Sequence, residues 1–104
     1  MLSEQNILPL IKEKVLELLP DARVLLFGSR VAGNVHPESD WDILILTKNR
    51  YPKATKWAIH DKLFPLSVQF GTFINIVLVH ENDWNTNAGY YSLRTNIGGK
   101  VIAA

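Results

Sequence analysis

The sequence predicts an α+β domain in which helices pack on a small mixed β-sheet. Three observations carry this expectation. Ile7, Ile11, Val15 and Leu18 recur at helical spacing, with the charged Glu13, Lys14 and Glu17 between them. Apolar runs over Arg23 to Phe27, Trp41 to Thr47 and Phe73 to Val79 have the length and aliphatic content of strands. Pro, Gly and Ser punctuate the chain between these segments, so helices and strands alternate.

Taken in order, the first helix begins near Asn6 to Pro9, because proline is tolerated in a first turn, and Pro20-Asp21 ends it. Arg23 to Phe27 is a short buried strand that Gly28-Ser29 breaks. Arg30 to Gly33 has the length of a helical turn, and His36 to Ser39 is a loop around Pro37. Trp41 to Thr47 is nearly continuous in Ile and Leu, as a strand covered on both faces would be. Lys48 to Pro52 is a charged turn. Pro52 suits the opening of a second helix, which Ala54, Trp57, Ala58 and Asp61 carry to about Leu63, where Pro65 stops it. Leu66 to Phe70 reads as a short extended piece before the strand Phe73 to Val79. A polar loop spans His80 to Gly89. Tyr90, Leu93, Arg94 and Ile97 suit a last short helix that ends at Gly98-Gly99.

The bulk properties narrow the function. A length of 104 residues fits one compact domain, 1–104. Its core is small, so a partner or a homo-oligomer would add stability. The net charge of +1 argues against a dedicated nucleic-acid binder, which carries a clear basic excess. With no cysteine, disulfides and thiolate metal sites are excluded, and a reduced compartment is compatible. Met1 to Asn6 carries no secretory signal, and no apolar stretch is long enough to span a bilayer. The expectation is a cytoplasmic protein with no membrane association.

Val24 to Leu46 carries the chemistry. A buried strand runs into Gly28-Ser29 and then a helical turn, an arrangement that aims backbone N–H groups and a hydroxyl at an anion such as phosphate. Gly28 has no Cβ, so a ligand can approach its backbone closely. Alone, the pair reads as an ordinary turn. Asp40 and Asp42, however, flank Trp41 at the mouth of the next strand, and residues two apart on a strand share a face. Two neighbouring carboxylates repel. A divalent cation resolves the repulsion, and Mg²⁺ prefers one or two carboxylates plus phosphate oxygens.

Gly28-Ser29-Arg30-Val31-Ala32-Gly33 followed by Ser39-Asp40-Trp41-Asp42-Ile43-Leu44-Ile45 resembles the motif of the minimal nucleotidyltransferases of the DNA polymerase beta superfamily. The resemblance covers most of the chain and implies the nucleotidyltransferase fold. It implies that Gly28, Ser29 and Arg30 bind the triphosphate of an NTP, with ATP favoured, and that Asp40 and Asp42 hold Mg²⁺ or Mn²⁺. The implied reaction moves a nucleoside monophosphate to a hydroxyl and releases pyrophosphate. Short members of this family often stand beside a small helical HEPN-domain protein as a toxin–antitoxin pair, and this chain would be the antitoxin half.

The sequence departs from that pattern at the third carboxylate. The matching position on the strand Phe73 to Val79 is Asn75, which keeps a carbonyl oxygen for a metal but brings no charge and accepts no proton. Glu81 and Asp83 follow beyond the strand, and the sequence leaves open whether one of them bends back. Val31-Ala32 stands where Ala-Arg is commoner, which removes a basic group. Both changes favour the rival expectation, a degenerate domain that binds nucleotide or partner without chemistry. His36, His60 and His80 show no metal-ligand spacing. Lys48, Arg50, Lys53 and Lys56 read as a solvated helix start. Trp41 is expected on the face opposite the aspartates. Trp84, Tyr90 and Tyr91 fit either a core or an exposed aromatic patch.

Overall fold

A computed structural model describes residues 4–27, 40–86 and 102–103. The elements run in the order α1 (Glu4–Leu18), β1 (Arg23–Phe27), β2 (Trp41–Thr47), α2 (Ala54–Phe70), β3 (Ile74–His80), α3 (Glu81–Thr86) and β4 (Ile102–Ala103). The sheet is mixed, in the order β3-β2-β1-β4. β1 runs antiparallel to β2, with Phe27 opposite Asp42 and Val24 opposite Ile45. β2 and β3 are parallel, with Asp42 opposite Asn75. A parallel pair needs a long crossover, and α2 supplies it.

Alternation along the strands sorts side chains to two faces. Trp41, Ile43 and Ile45 of β2, with Ile74 and Ile76 of β3, face α1 and α2 and form the main core with Ile7, Ile11, Ile59 and Leu63. Leu44 and Leu46 face the other way and join Leu25, Val79 and the half-buried Trp84 in a smaller cluster. β2 is thus covered on both sides, as its composition predicts; only Asp42 breaks its run of buried residues.

Several expectations need correction. α1 starts at Glu4 and contains Pro9 in its second turn, not its first. Pro9 offers no N–H to the preceding turn, but Ile7, Ile11 and Val15 are all fully buried and hold the helix on the sheet. The fourth residue of that stripe is Leu19, 1% exposed, and Leu18 is 40% exposed. α2 does not stop at Pro65, and no extended piece covers 66–70. The helix continues to Phe70 because Leu66 completes the buried stripe of Ile59 and Leu63, while Pro65 sits on the exposed side. It ends at Gly71, whose φ of 63° lies in the left-handed region. There the Gly71 N–H donates to the Val68 carbonyl and the Thr72 N–H to the Ser67 carbonyl, a Schellman closure. β3 lies one residue later than expected. The segment after it opens with a short helix, α3, rather than a loop. β4, which pairs Leu26 with Ile102, had no expected counterpart. The helical turn at 30–33, the loop at 36–39 and the helix around 90–97 lie outside the described residues. Among the described residues, no helix is long and apolar enough to cross a membrane.

Candidate active site

Asp40, Asp42 and Asn75 converge at one end of the sheet. Asp40 immediately precedes β2, Asp42 is its second residue, and Asn75 is the second residue of β3, level with Asp42 in the parallel register. The Trp41 N–H donates to the Phe73 carbonyl at 2.9 Å and fixes that register where the strands begin. Trp41 itself is 6% exposed and packs in the helix-side core, as its position between the aspartates requires. Asp42 and Asn75 therefore project from the opposite face.

The Asn75 amide joins the pair. Its Nδ2 donates to Asp40 Oδ2 at 3.0 Å and to Asp42 Oδ1 at 3.2 Å. Ionised carboxylates only accept, so the amide must turn its NH₂ toward them, which fixes its orientation. The two N–H groups offset part of the carboxylate repulsion. Asn75 thus occupies the third corner of a three-residue cluster with the two aspartates.

Glu81 and Asp83 do not bend back. They lie on α3, past the far end of β3, about 20 Å along the strand from Asn75 at ~3.3 Å per residue. Glu81 Oε1 is 3.7 Å from Arg23 Nη1. Asp83 receives two hydrogen bonds from Arg50, at 2.9 and 3.1 Å. This bidentate bond holds the Asp83 carboxyl below its usual range and raises the Arg50 guanidinium. The Lys48, Arg50, Lys53 and Lys56 group is likewise at the far end of β2. Arg50, Lys53 and Lys56 border a groove of about 440 Å³ there, well removed from the aspartates.

Gly28, Ser29 and Arg30 lie outside the described residues. Phe27, the residue before Gly28, is paired with Asp42, so the chain leaves β1 beside the carboxylates. His36, Tyr90 and Tyr91 are also outside the described residues. His60 stacks at a tilt on Trp57, with ring centroids 5.9 Å apart. His80 accepts the Asn82 N–H on Nδ1, and its Nε2 faces the Lys48 carbonyl at 3.1 Å, so Nε2 carries the proton. Among the described residues no group of three or more His, Cys, Asp or Glu is placed to hold a metal. The cluster offers two carboxylates and, once the amide turns, one carbonyl oxygen. These hard oxygen donors fit Mg²⁺, which binds through one or two carboxylates and completes its shell with phosphate and water oxygens.

Sequence reasoning missed two features. Asp21, at the α1–β1 turn, receives the Tyr51 hydroxyl, the Lys48 and Asn49 N–H groups and the Asn49 side-chain amide. This anchors the β2–α2 connection, and no motif marks it. The other is a groove of about 400 Å³ between α2 and the start of β3, lined by Phe64, Val68, Phe73 and Asn75 among others. Its signal was present in apolar residues of α2 that fall outside the buried stripe.

A family model described as a nucleotidyltransferase domain matches residues 8–88. The search of curated proteins found no match. Among solved structures, a toxin–antitoxin crystal structure with AMP-PNP is similar at 20% identity and a TM-score of 0.62, over 98% of this chain and 72% of that one. A crystal structure of a tyrosine-to-alanine mutant of the toxin–antitoxin MntA-HpeT is similar at 20% identity and a TM-score of 0.60, over 100% of this chain and 72% of that one. The match over 8–88 spans the α1-to-α3 framework and both aspartates, and the chain belongs to the nucleotidyltransferase domain family.

Proposed function

We propose that this chain transfers a nucleoside monophosphate, AMP from ATP, to a hydroxyl on a protein or small molecule, and that it is the antitoxin half of a toxin–antitoxin pair whose other half is a small helical HEPN-domain protein. The observation that carries this reading is the Asp40–Asp42 pair held on one sheet face beside the end of β1. The two similar structures are toxin–antitoxin proteins, one of them with AMP-PNP, which supports the nucleotide and the class of partner.

In this mechanism Gly28 and Ser29 receive the triphosphate through backbone N–H groups and the hydroxyl, and Arg30 pairs with a phosphate oxygen. Asp40 and Asp42 are the residues that would hold Mg²⁺ or Mn²⁺, and the bound cation would supply neutralisation of phosphate charge. The acceptor oxygen forms its bond to the α-phosphorus while the bond from that phosphorus to the bridging oxygen breaks, and pyrophosphate leaves. The hydroxyl proton goes to a carboxylate of the pair or to water, because the Asn75 amide cannot take it. Asn75 would instead orient: its Oδ1 would accept a hydrogen bond from the hydroxyl or, with the amide turned, join the aspartates in holding the cation. The protein contributes positioning and electrostatics, with no covalent intermediate.

Asn75 also favours a second reading, in which the domain binds nucleotide or its partner and performs no transfer. ATP labelled at the α-phosphate, incubated with Mg²⁺ or Mn²⁺ in lysate of the source organism, separates the two. Label on a discrete species with wild type, and none with an Asp40→Asn/Asp42→Asn double variant, is the expected result. Label only with Asn75→Asp would support the binding-only reading.

A further inference from the structure

The far end of the sheet holds a second concave surface. A groove of about 440 Å³ lies between the β2–α2 connection, the start of α2 and the end of β3. Thr47 and Leu78 place it on the helix side of the sheet, since they continue the alternation of Ile45 and Ile76. Thr47 is five residues beyond Asp42, about 17 Å along the strand at ~3.3 Å per residue, and on the other face. The groove is therefore separate from the carboxylate cluster in both position and direction.

Its lining divides by chemistry. Tyr51, Pro52, Trp57 and Leu78 form an apolar wall, and Trp57 is 68% exposed, so its ring is open to a ligand. Arg50, Lys53 and Lys56 supply cations. The bidentate bond to Asp83 offsets the charge of Arg50. Among the described residues, no acid is within ion-pair distance of Lys53 or Lys56. Lys56 and Trp57 follow Lys53 by three and four residues, so the two ammonium groups and the indole share one helix face.

Stability gives no reason for this placement. Lys53 is the N-cap of α2 and makes no side-chain cap, and no acidic residue stands in the first turn. Cations there oppose the helix macrodipole and repel each other, whereas an anion is favoured. The groove is also held in shape without a ligand. The Tyr51 hydroxyl donates to Asp21 Oδ1 at 2.5 Å, His80 Nε2 meets the Lys48 carbonyl at 3.1 Å, and Arg50 is clamped by Asp83. Three contacts thus pin the β2–α2 connection, and a ligand would not have to order it.

We propose that this groove is a second, metal-independent site for a nucleoside phosphate. The base would stack on Trp57 along the apolar wall, and the phosphate would meet Lys53, Lys56 and the start of α2. The groove has the volume of a small-molecule site. Bare phosphate would leave the apolar wall uncovered, and an uncharged ring would leave the lysines unmatched. A nucleic-acid strand calls for a longer basic track than one helical turn, and the net charge of the chain is only +1. No cation is required, because the lysines supply the positive charge. The site stands without the transferase reading, since it shares no residue with the carboxylate cluster.

The test is calorimetric titration of AMP in chelator into wild type, Asp40→Asn/Asp42→Asn, Lys53→Gln/Lys56→Gln and Trp57→Leu. Chelator silences the carboxylate cluster, whose negative charges then repel phosphate. Lys53, Lys56 and Trp57 are exposed, and circular dichroism checks that each variant folds. Inorganic phosphate, adenosine and a single-stranded oligonucleotide are titrated alongside. Wild type and the aspartate double variant should bind one AMP alike, more tightly than phosphate or adenosine. The lysine double variant should bind AMP at least about tenfold more weakly, as loss of hydrogen bonds to a charged group does. Trp57→Leu should weaken AMP and leave phosphate unchanged, and 8-azido-AMP should crosslink within residues 50–57. Absence of AMP binding overturns the proposal. So does AMP binding that the aspartate variant loses and the lysine variant keeps, which would put AMP at the carboxylates. Phosphate bound as tightly as AMP would leave a bare anion site, and an oligonucleotide bound more tightly than AMP would make the groove a nucleic-acid surface; either result also overturns it.

Discussion

Replacing Asn75 by Asp tests how the cluster is held together. The substitution removes two hydrogen bonds, at 3.0 and 3.2 Å, and puts a third carboxylate the same distance from the first two. Two like charges ~3 Å apart repel by about 1.4 kcal/mol in water, and solvent at this partly exposed site screens them nearly as well. With the lost donors and with relaxation of the side chains, the metal-free variant should be less stable by about 1–3 kcal/mol. For a domain of this size that lowers the melting temperature by roughly 5–15 °C. Divalent cations should reverse the loss, since three carboxylates bind more tightly than two and binding to the folded state alone stabilises it. The assay is thermal unfolding of wild type and Asn75→Asp in chelator, then across a Mn²⁺ titration. Equal melting temperatures in chelator, or a variant that Mn²⁺ raises no more than wild type, would refute the reasoning.

Gly71→Ala should cost about 1 kcal/mol, because a left-handed φ penalises a Cβ while nothing lies within 4 Å of where it would sit; denaturant unfolding reads this directly. Ile43→Ala, at a fully buried position in the main core, should cost about 2–5 kcal/mol in the same experiment. Asp21 is held below its usual value of 3.8, chiefly by the Tyr51 hydroxyl, with the Asn49 and Lys48 N–H groups adding to it. A depressed carboxyl stabilises the fold above its unfolded pKa and loses that contribution as pH falls through the folded value, so this loss develops below about pH 4. Asp21→Asn should lower stability at neutral pH and flatten this acid limb, measured as melting temperature against pH.

The framework was legible where burial follows simple periodicity. β2 showed itself as a run of Ile and Leu, and both of its faces are packed. The Asp40–Asp42 pair was legible because its two-residue spacing on a strand determines the shared face, and Asn75 fell into register through the parallel pairing. The misreadings came from tertiary packing overriding local signals. Pro9 and Pro65 suggest boundaries, yet each sits inside a helix whose apolar stripe is buried on the sheet. Trp57, one of the residues that suggested the extent of α2, points outward, because Ile59, Leu63 and Leu66 set the helix rotation. The fates of Glu81 and Asp83 depend on Arg23 and Arg50, remote in sequence, so pattern alone could not assign them. The same holds for Asp21, whose partners at 48–51 lie about a quarter of the chain away.

The central claim is that Asp40 and Asp42 load a metal–triphosphate beside β1. Calorimetric titration of a non-hydrolysable ATP analogue, with Mn²⁺ present and then replaced by chelator, tests it most directly. Wild type should bind one analogue per chain in the presence of Mn²⁺ and bind far more weakly in chelator. Asp40→Asn/Asp42→Asn should lose the Mn²⁺-dependent part while keeping its fold. Equal binding by wild type and the double variant in Mn²⁺, or no binding by either, would contradict the account.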